Sequence, residues 1–302
     1  MQSSRREFLV QAGIAFTTAA LIPDNPFSLH ANPLGKPIGL QLYAVNEQLK
    51  KDFDGTLRQI SAIGYKEVEL AGFFNKKPAE FKKSLDDVGL HCASVHISGE
   101  AAEAINFAAA IGAKYVISSV TLPEGVPRPK GIDDFMKTLG SITFDDYKAI
   151  AAHANHLGEQ AKKSGLQFGY HNHNFEFKPT GGKIGYDELL RLTDPNLVKF
   201  ELDCGWMAAA GHDPAAYIKR YPTRYRLLHI KDFKPTPAPS VSLDNRPTPA
   251  ELGRGHIDYT PIFAAAKHSA VELFYVEQEP PFIEVSAIEA IKIDYDYLHT
   301  MS

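Results

Sequence analysis

The chain has 302 residues, 44% of them hydrophobic and 23% charged, which excludes a disordered or collagen-like protein. Its formal net charge of -4 lacks the basic surplus that gripping a nucleic-acid backbone demands. Two cysteines, Cys92 and Cys204, exclude a disulfide scaffold and a zinc knuckle.

The first segment, Ser3-Ser4-Arg5-Arg6-Glu7-Phe8-Leu9, is followed by an apolar stretch from Ala12 to Ile22 and then Pro23. It resembles a twin-arginine export signal. The stretch is too short to span a bilayer stably, so no stable membrane insertion is expected. The resemblance implies a periplasmic or otherwise exported protein that folds before export. Residues 1–35 are therefore read as a leader and 36–302 as one domain.

From Ile38 onward, short runs rich in Val, Ile, Tyr and Phe recur at 38–43, 67–70, 91–97, 115–119, 167–173, 198–203, 226–231 and 273–277. Such runs suit buried strands. Helical patterns separate them. Phe53, Leu57, Ile60 and Ile63 recur at three- and four-residue steps before Gly64, a C-terminal cap. Residues 144–163 read as one long helix ending at Gly165. Residues 186–192, 214–221 and 284–299 read as further helices. Eight strands alternating with helices predict a (β/α)8 TIM barrel. No glycine-rich loop follows the first strand, which argues against an open dinucleotide-binding sheet. Two proline-rich stretches, 122–140 and 234–249, each follow a strand. Both are placed at the catalytic mouth, as covers for substrate or as passive insertions.

Barrel chemistry sits at the C-terminal ends of strands. Strand three ends at His96. Strand five ends His171-Asn172-His173-Asn174-Phe175-Glu176, and strand six ends Glu201-Leu202-Asp203. Strand seven reads Leu228-His229-Ile230-Lys231-Asp232, and strand eight ends Glu277-Gln278-Glu279. One divalent cation explains this set. Carboxylates with imidazoles and no thiolate favour Mn, Mg, Co or Zn. Asp203, His229 and Glu277 come from adjacent strands and converge, and the fourth ligand is His171 or Glu176. Strand alternation puts His171 and His173 on one face, where one ligates and the other acts as base. Glu201 and Glu279 are read as partners in buried salt bridges, and Cys204 as a small buried residue.

Several short segments together resemble the sugar isomerase/epimerase family with the xylose-isomerase-like barrel, whose superfamily includes endonuclease IV-like enzymes. They are residues 38–43 (IGLQLY), 68–70 (VEL), 170–173 (YHNH), 202–203 (LD), 229–232 (HIKD), 253–258 (GRGHID) and 276–278 (VEQ). The resemblance runs from Ile38 to the C-terminus. It implies one divalent metal held by Glu, Asp, His and Glu from strands five to eight. Asp203, His229 and Glu277 take the last three places, with Glu176 as the carboxylate candidate for the first. There the chain departs: His171-Asn172-His173 stands where many relatives have Glu-Asn-His. That departure weakens an epimerase mechanism built on two metal-bound glutamates.

The resemblance further implies a metal-polarised keto sugar and an enediolate formed by loss of the proton α to the carbonyl. His173 or His171 removes that proton. Lys231 stabilises oxyanion charge or donates a proton. Reprotonation gives an isomerase or epimerase, the first expectation. Expulsion of a β-substituent gives a lyase or dehydratase, the alternative. A non-catalytic sugar-binding barrel is the weaker third reading. A neutral keto sugar or keto-glycoside suits an exported enzyme. Glu69, His96, Trp206, Arg254 and His256 are expected to hold its hydroxyls and ring, with Trp206 stacking on a sugar face. A small carbohydrate is the expected partner, nucleic acid is not, and a homo-oligomer is compatible with the sequence.

Overall fold

The computed structural model describes residues 32–119, 121–123, 125, 126, 129 and 132–301. The twin-arginine stretch, like part of the first proline-rich loop, lies outside them. Eight strands form the barrel: β1 (Gly39–Gln41), β2 (Glu67–Leu70), β3 (His91–His96), β4 (Tyr115–Ser118), β5 (Gln167–His171), β6 (Val198–Asp203), β7 (Tyr225–Ile230) and β8 (Leu273–Val276). Each pairs in parallel with the next, and β8 closes on β1 with Gly39 opposite Tyr275. The outer ring is α1 (Phe53–Ile63), α2 (Pro78–Asp86), α3 (Ala101–Ile111), α4 (Asp146–Lys163), α5 (Gly185–Leu192), α6 (Pro214–Arg220), α7 (Thr260–Lys267) and α8 (Ala287–Thr300).

Local sequence explains the elements. In α1, Leu57 and Ile60 share a buried face, and the Asp52 carboxylate caps the helix by accepting from Gly55 N at 2.9 Å. The helix stops at Gly64, whose φ of +129° and contact with the Tyr295 ring both require a residue without Cβ. Inside the barrel, Tyr115, Ile117, Leu227 and Tyr275 pack as a separate apolar cluster. Alternation places His229 two residues above Leu227, and Glu277 two above Tyr275. The site residues therefore stand on an apolar floor.

Several boundaries differ from the sequence reading, and three of them have a local cause. The first strand ends at Gln41, not Tyr43, because the Gln41 side chain accepts from Tyr43 N at 3.1 Å and starts a 3-10 turn over Leu42–Val45. The fifth strand ends at His171, where the Asn172 side chain takes over its pairing with β6. Asn172 accepts from Asp203 N at 3.0 Å and donates to Asp203 O at 3.2 Å. The last helix begins at Ala287, capped by Ser286, whose hydroxyl accepts from Glu289 N at 3.3 Å. Among the described residues, no helix is long and apolar enough to cross a membrane.

The second proline-rich stretch is closed at its base. Asp232–Phe233 pairs antiparallel with Pro249–Ala250. The Asp232 carboxylate accepts from Phe233 N at 2.8 Å, Gly253 N at 3.2 Å, Gly255 N at 3.1 Å, His256 N at 3.0 Å and Ile257 N at 3.1 Å. A Cβ on Gly255 would lie 2.1 Å from that carboxylate, so only glycine fits there.

Candidate metal centre

Four side chains from successive strand ends meet at the mouth. His171, Asp203, His229 and Glu277 each present one ligand atom, all within 4.8 Å of one another. His171 Nε2 lies 3.7 Å from Asp203 Oδ2, and His229 Nδ1 lies 2.9 Å from Glu277 Oε2. The other nitrogen of each ring is held from behind. His171 Nδ1 donates to Glu201 Oε2 at 2.9 Å, and His229 Nε2 to Glu69 Oε2 at 2.5 Å. A carboxylate behind each imidazole fixes the ring and aims its opposite nitrogen at the carboxylates of the group, His171 Nε2 toward Asp203 and His229 Nδ1 at Glu277.

The donor set fits a divalent cation. Two carboxylates match its charge, and two imidazoles suit a borderline metal. Asp203 Oδ1 caps the short helix Cys204–Ala209 by accepting from Trp206 N at 2.8 Å. Asp203 Oδ2 is buried without a well-formed hydrogen bond, although the Lys231 ammonium lies 2.9 Å away. Burial raises the Asp203 carboxyl to about 6 despite the pull of Lys231. A second group, His96, His171, Glu201 and His229, is equally tight. Its shared oxygen, Glu201 Oε2, already accepts from His96 Nε2 at 3.0 Å and from His171, so that group supports the first.

The structure does not bring Glu176, the carboxylate candidate for the fifth-strand place, to the four-residue group. The chain turns into a 3-10 segment at Phe175–Phe177. That turn draws the carboxylate back to accept from Tyr170 Oη at 3.1 Å and His173 N at 2.9 Å. Burial raises it to about 8. His171, on the strand itself, is the fifth-strand member of the four-residue group.

The cavity above the group has a volume of about 570 Å³, and His96, His171, His173, Trp206 and Glu277 are among its lining residues. The His173 Nδ1 is buried without a partner. Burial, with the charge of Lys231, lowers the ring to about 3, so it is neutral near pH 7. Lys231 is buried and lies 2.6 Å from Glu277 Oε2; it also contacts Glu279 Oε1. Burial opposes its charge, but Asp203, Glu277 and Glu279 outweigh that and hold the ammonium well above its ordinary value.

Other expected substrate contacts are rearranged. Glu69 sits beneath the rings of His96 and His229 rather than in the open cavity. Trp206 lines the cavity but is only 1% exposed. Its ring packs on Phe233 and under the Lys231 ammonium, and its Nε1 donates to Glu279 at 3.0 Å, so it is a wall rather than an open platform. Arg254 and His256 do not line the cavity. Arg254 lies 3.4 Å from Glu251, and His256 Nδ1 donates to Phe233 O at 2.7 Å, because their segment wraps Asp232. Gln41, Tyr43, Asp244 and Arg246 line the cavity and were not singled out from the sequence. Gln41 stands at the end of the first strand, which is the signal that locates it.

A closed parallel barrel with a candidate metal centre at the C-terminal ends of its strands defines the class. Residues 57–293 match the family described as Xylose isomerase-like TIM barrel, and this chain belongs to it. An inosose dehydratase from Lacticaseibacillus casei is 27% identical over 253 residues, covering 76% of this chain and 83% of that protein. An inosose dehydratase from Clostridium perfringens is 26% identical over 256 residues, covering 76% and 83%. A solved sugar phosphate isomerase/epimerase from Parabacteroides distasonis superposes with a TM-score of 0.70 at 25% identity, covering 88% of this chain and 94% of its own.

Proposed function

We propose that this protein is a divalent-metal-dependent lyase that eliminates a β-substituent from a cyclic keto sugar or keto-glycoside. The observation that carries this is the fifth-strand residue. His171 is tied to Glu201 and turned toward Asp203, so among the described residues the fifth strand sets an imidazole, not a glutamate, in the group with Glu277. Epimerisation needs proton transfer on both faces of the substrate, whereas elimination needs one base and one acid. The similarity to two inosose dehydratases supports the same reading.

His171, Asp203, His229 and Glu277 would hold the metal, which when bound supplies Lewis-acid polarisation of the ketone. His173 is neutral, lines the cavity and accepts the proton α to the carbonyl. The electron pair of that C–H bond forms the new C=C bond, and the β C–O bond breaks. Lys231, held protonated, gives its proton to the departing oxygen, which leaves as water or an alcohol. Glu69 and Glu201 keep the ligand rings oriented.

A second reading, isomerisation or epimerisation, is supported by the likeness to the isomerase/epimerase structure. Proton NMR of the manganese-loaded protein in deuterated water, with 3-keto-glucosides and inososes, tests both. A new enone signal with release of the β-substituent supports the lyase. Deuterium entering the α position of an intact skeleton moves the assignment to the isomerase. No reaction by metal-loaded protein overturns both. Export remains a proposal resting on Arg5-Arg6 and the following apolar stretch. A reporter fusion that reaches the periplasm with Arg5 and Arg6, and stays in the cytoplasm when both become Lys, tests it.

A further inference from the structure

The cavity extends beyond the four-residue group, and its outer part has its own chemistry. A volume of about 570 Å³ lies within the range of roughly 300–1,000 Å³ that takes a drug-sized ligand. A single sugar ring does not fill it. At the rim stands Tyr43, 47% exposed. Large exposed hydrophobic residues among those described are Tyr43, Val126 and Ile283, and of these Tyr43 lines the cavity. Arg246 lines the same rim. Its guanidinium makes no hydrogen bond among the described residues, and the nearest carboxylate oxygen paired with it, Glu279 Oε2, is 3.9 Å away. Asp244 adds an acceptor beside it.

This rim is preformed. Asn174, fully buried just beyond β5, donates to Ser240 Oγ at 3.0 Å and to Ser242 O at 3.1 Å. Ser240 N donates to Ala209 O at 2.8 Å, and Ser240 Oγ donates to Asn245 O at 2.6 Å. The stretch carrying His171 and His173 thus also fixes the turn that carries Asp244 and Arg246.

We propose that Tyr43, Asp244 and Arg246 form an outer subsite for a second ring, so that the preferred substrate is a two-ring keto-glycoside rather than a free keto sugar. This rests on the keto-sugar reading above. An aromatic face with a fork of N–H donors that makes no hydrogen bond among the described residues, and a carboxylate, is the chemistry that holds a flat, hydroxylated ring. A sugar and an aryl group share the stacking part, and Arg246 separates them.

Trp206 is the single tryptophan and lines the cavity, so its fluorescence reports binding. Stopped-flow titrations of manganese-loaded protein would use methyl 3-ketoglucoside, phenyl 3-ketoglucoside and a 3-keto-disaccharide. The two-ring ligands are expected to bind about ten-fold tighter than the methyl glucoside. Tyr43→Ala should remove most of that gain for both. Arg246→Ala should remove it for the disaccharide alone if the second ring is a sugar, and for neither if the gain is stacking on an aryl group. Both variants should leave the methyl glucoside within about two-fold of the original affinity. Equal binding of all three ligands, or a gain untouched by Tyr43→Ala, overturns the outer subsite while leaving the keto-sugar reading intact. No response to any ligand overturns both.

Discussion

At the N-terminal end of the barrel, Glu272 meets Lys114, Arg226 at 3.4 Å and the Tyr115 hydroxyl at 2.9 Å. One carboxylate faces two cations and a phenol, and Glu272 is 33% exposed. At the opposite end, Glu69, Glu201, Asp203, Glu277 and Glu279 crowd around one ammonium, Lys231, and a set of imidazoles. There the carboxylates outweigh burial and hold the His96 ring at about 10 and the His229 ring well above its usual value. Charge at the lower end is neutralised by neighbours and water. Charge at the mouth exceeds its fixed cation and is made up by protons on imidazoles. A barrel needs the first arrangement only for solubility and modest stability. The second is costly to build unless a cation is to be bound.

The largest expected effect comes from removing a ligand at the mouth. Asp203→Ala should lose bound manganese on dialysis, and turnover should fall at least about a hundredfold, measured by metal analysis and NMR assay. Retained metal would break the contrast between the two ends. Glu201→Gln keeps the size but weakens the brace on His171. Manganese affinity should fall about 10- to 100-fold with the fold intact, read by titration and circular dichroism.

Glu176→Gln sharpens the contrast within the mouth itself. Manganese affinity should stay within about two-fold, since this residue is not in the ligand group. Its effect belongs to stability. The folded carboxyl is raised to about 8 by burial, while an unfolded glutamate titrates at ~4.3. Protonation therefore favours the fold, and that contribution is lost as pH rises from ~4.3 through about 8. The melting temperature of Glu176→Gln should gain on the original protein between pH 5 and pH 8.5; a constant gap would remove this assignment. The smallest effect is at the other end: Glu272→Gln should cost no more than about 1 kcal/mol in urea denaturation and leave turnover unchanged.

Much of this is legible in the sequence, and the reason is local. Each strand carries its own apolar alternation, so Leu227 and His229, or Tyr275 and Glu277, declare one face without knowledge of the rest. Asp203, His229 and Glu277 could be placed together because each sits on or immediately beyond a regular strand. Glu176 could not, because its direction depends on a turn closed by Tyr170 Oη and His173 N. Arg254 and His256 look like substrate residues beside glycines, but those glycines serve the Asp232 carboxylate. Tyr43 turns outward through one Gln41 side-chain bond, which no periodicity encodes. Long-range carboxylate–imidazole pairs such as Glu69 with His229, 160 residues apart, emerge only when the barrel closes.

The excursion that carries Asp244 and Arg246 leaves the barrel at Phe233 and returns at Pro249, sealed by a two-residue ribbon and by five backbone N–H groups on Asp232. Lys231, just before that seal, takes its position from Asp203, Glu277 and Glu279 rather than from the excursion. Part of the loop is therefore a cassette. Residues 235–238 can be lengthened, shortened or exchanged by evolution or by an engineer, retuning what enters the cavity, while Ser240 and Ser242 stay as the partners of Asn174 beneath.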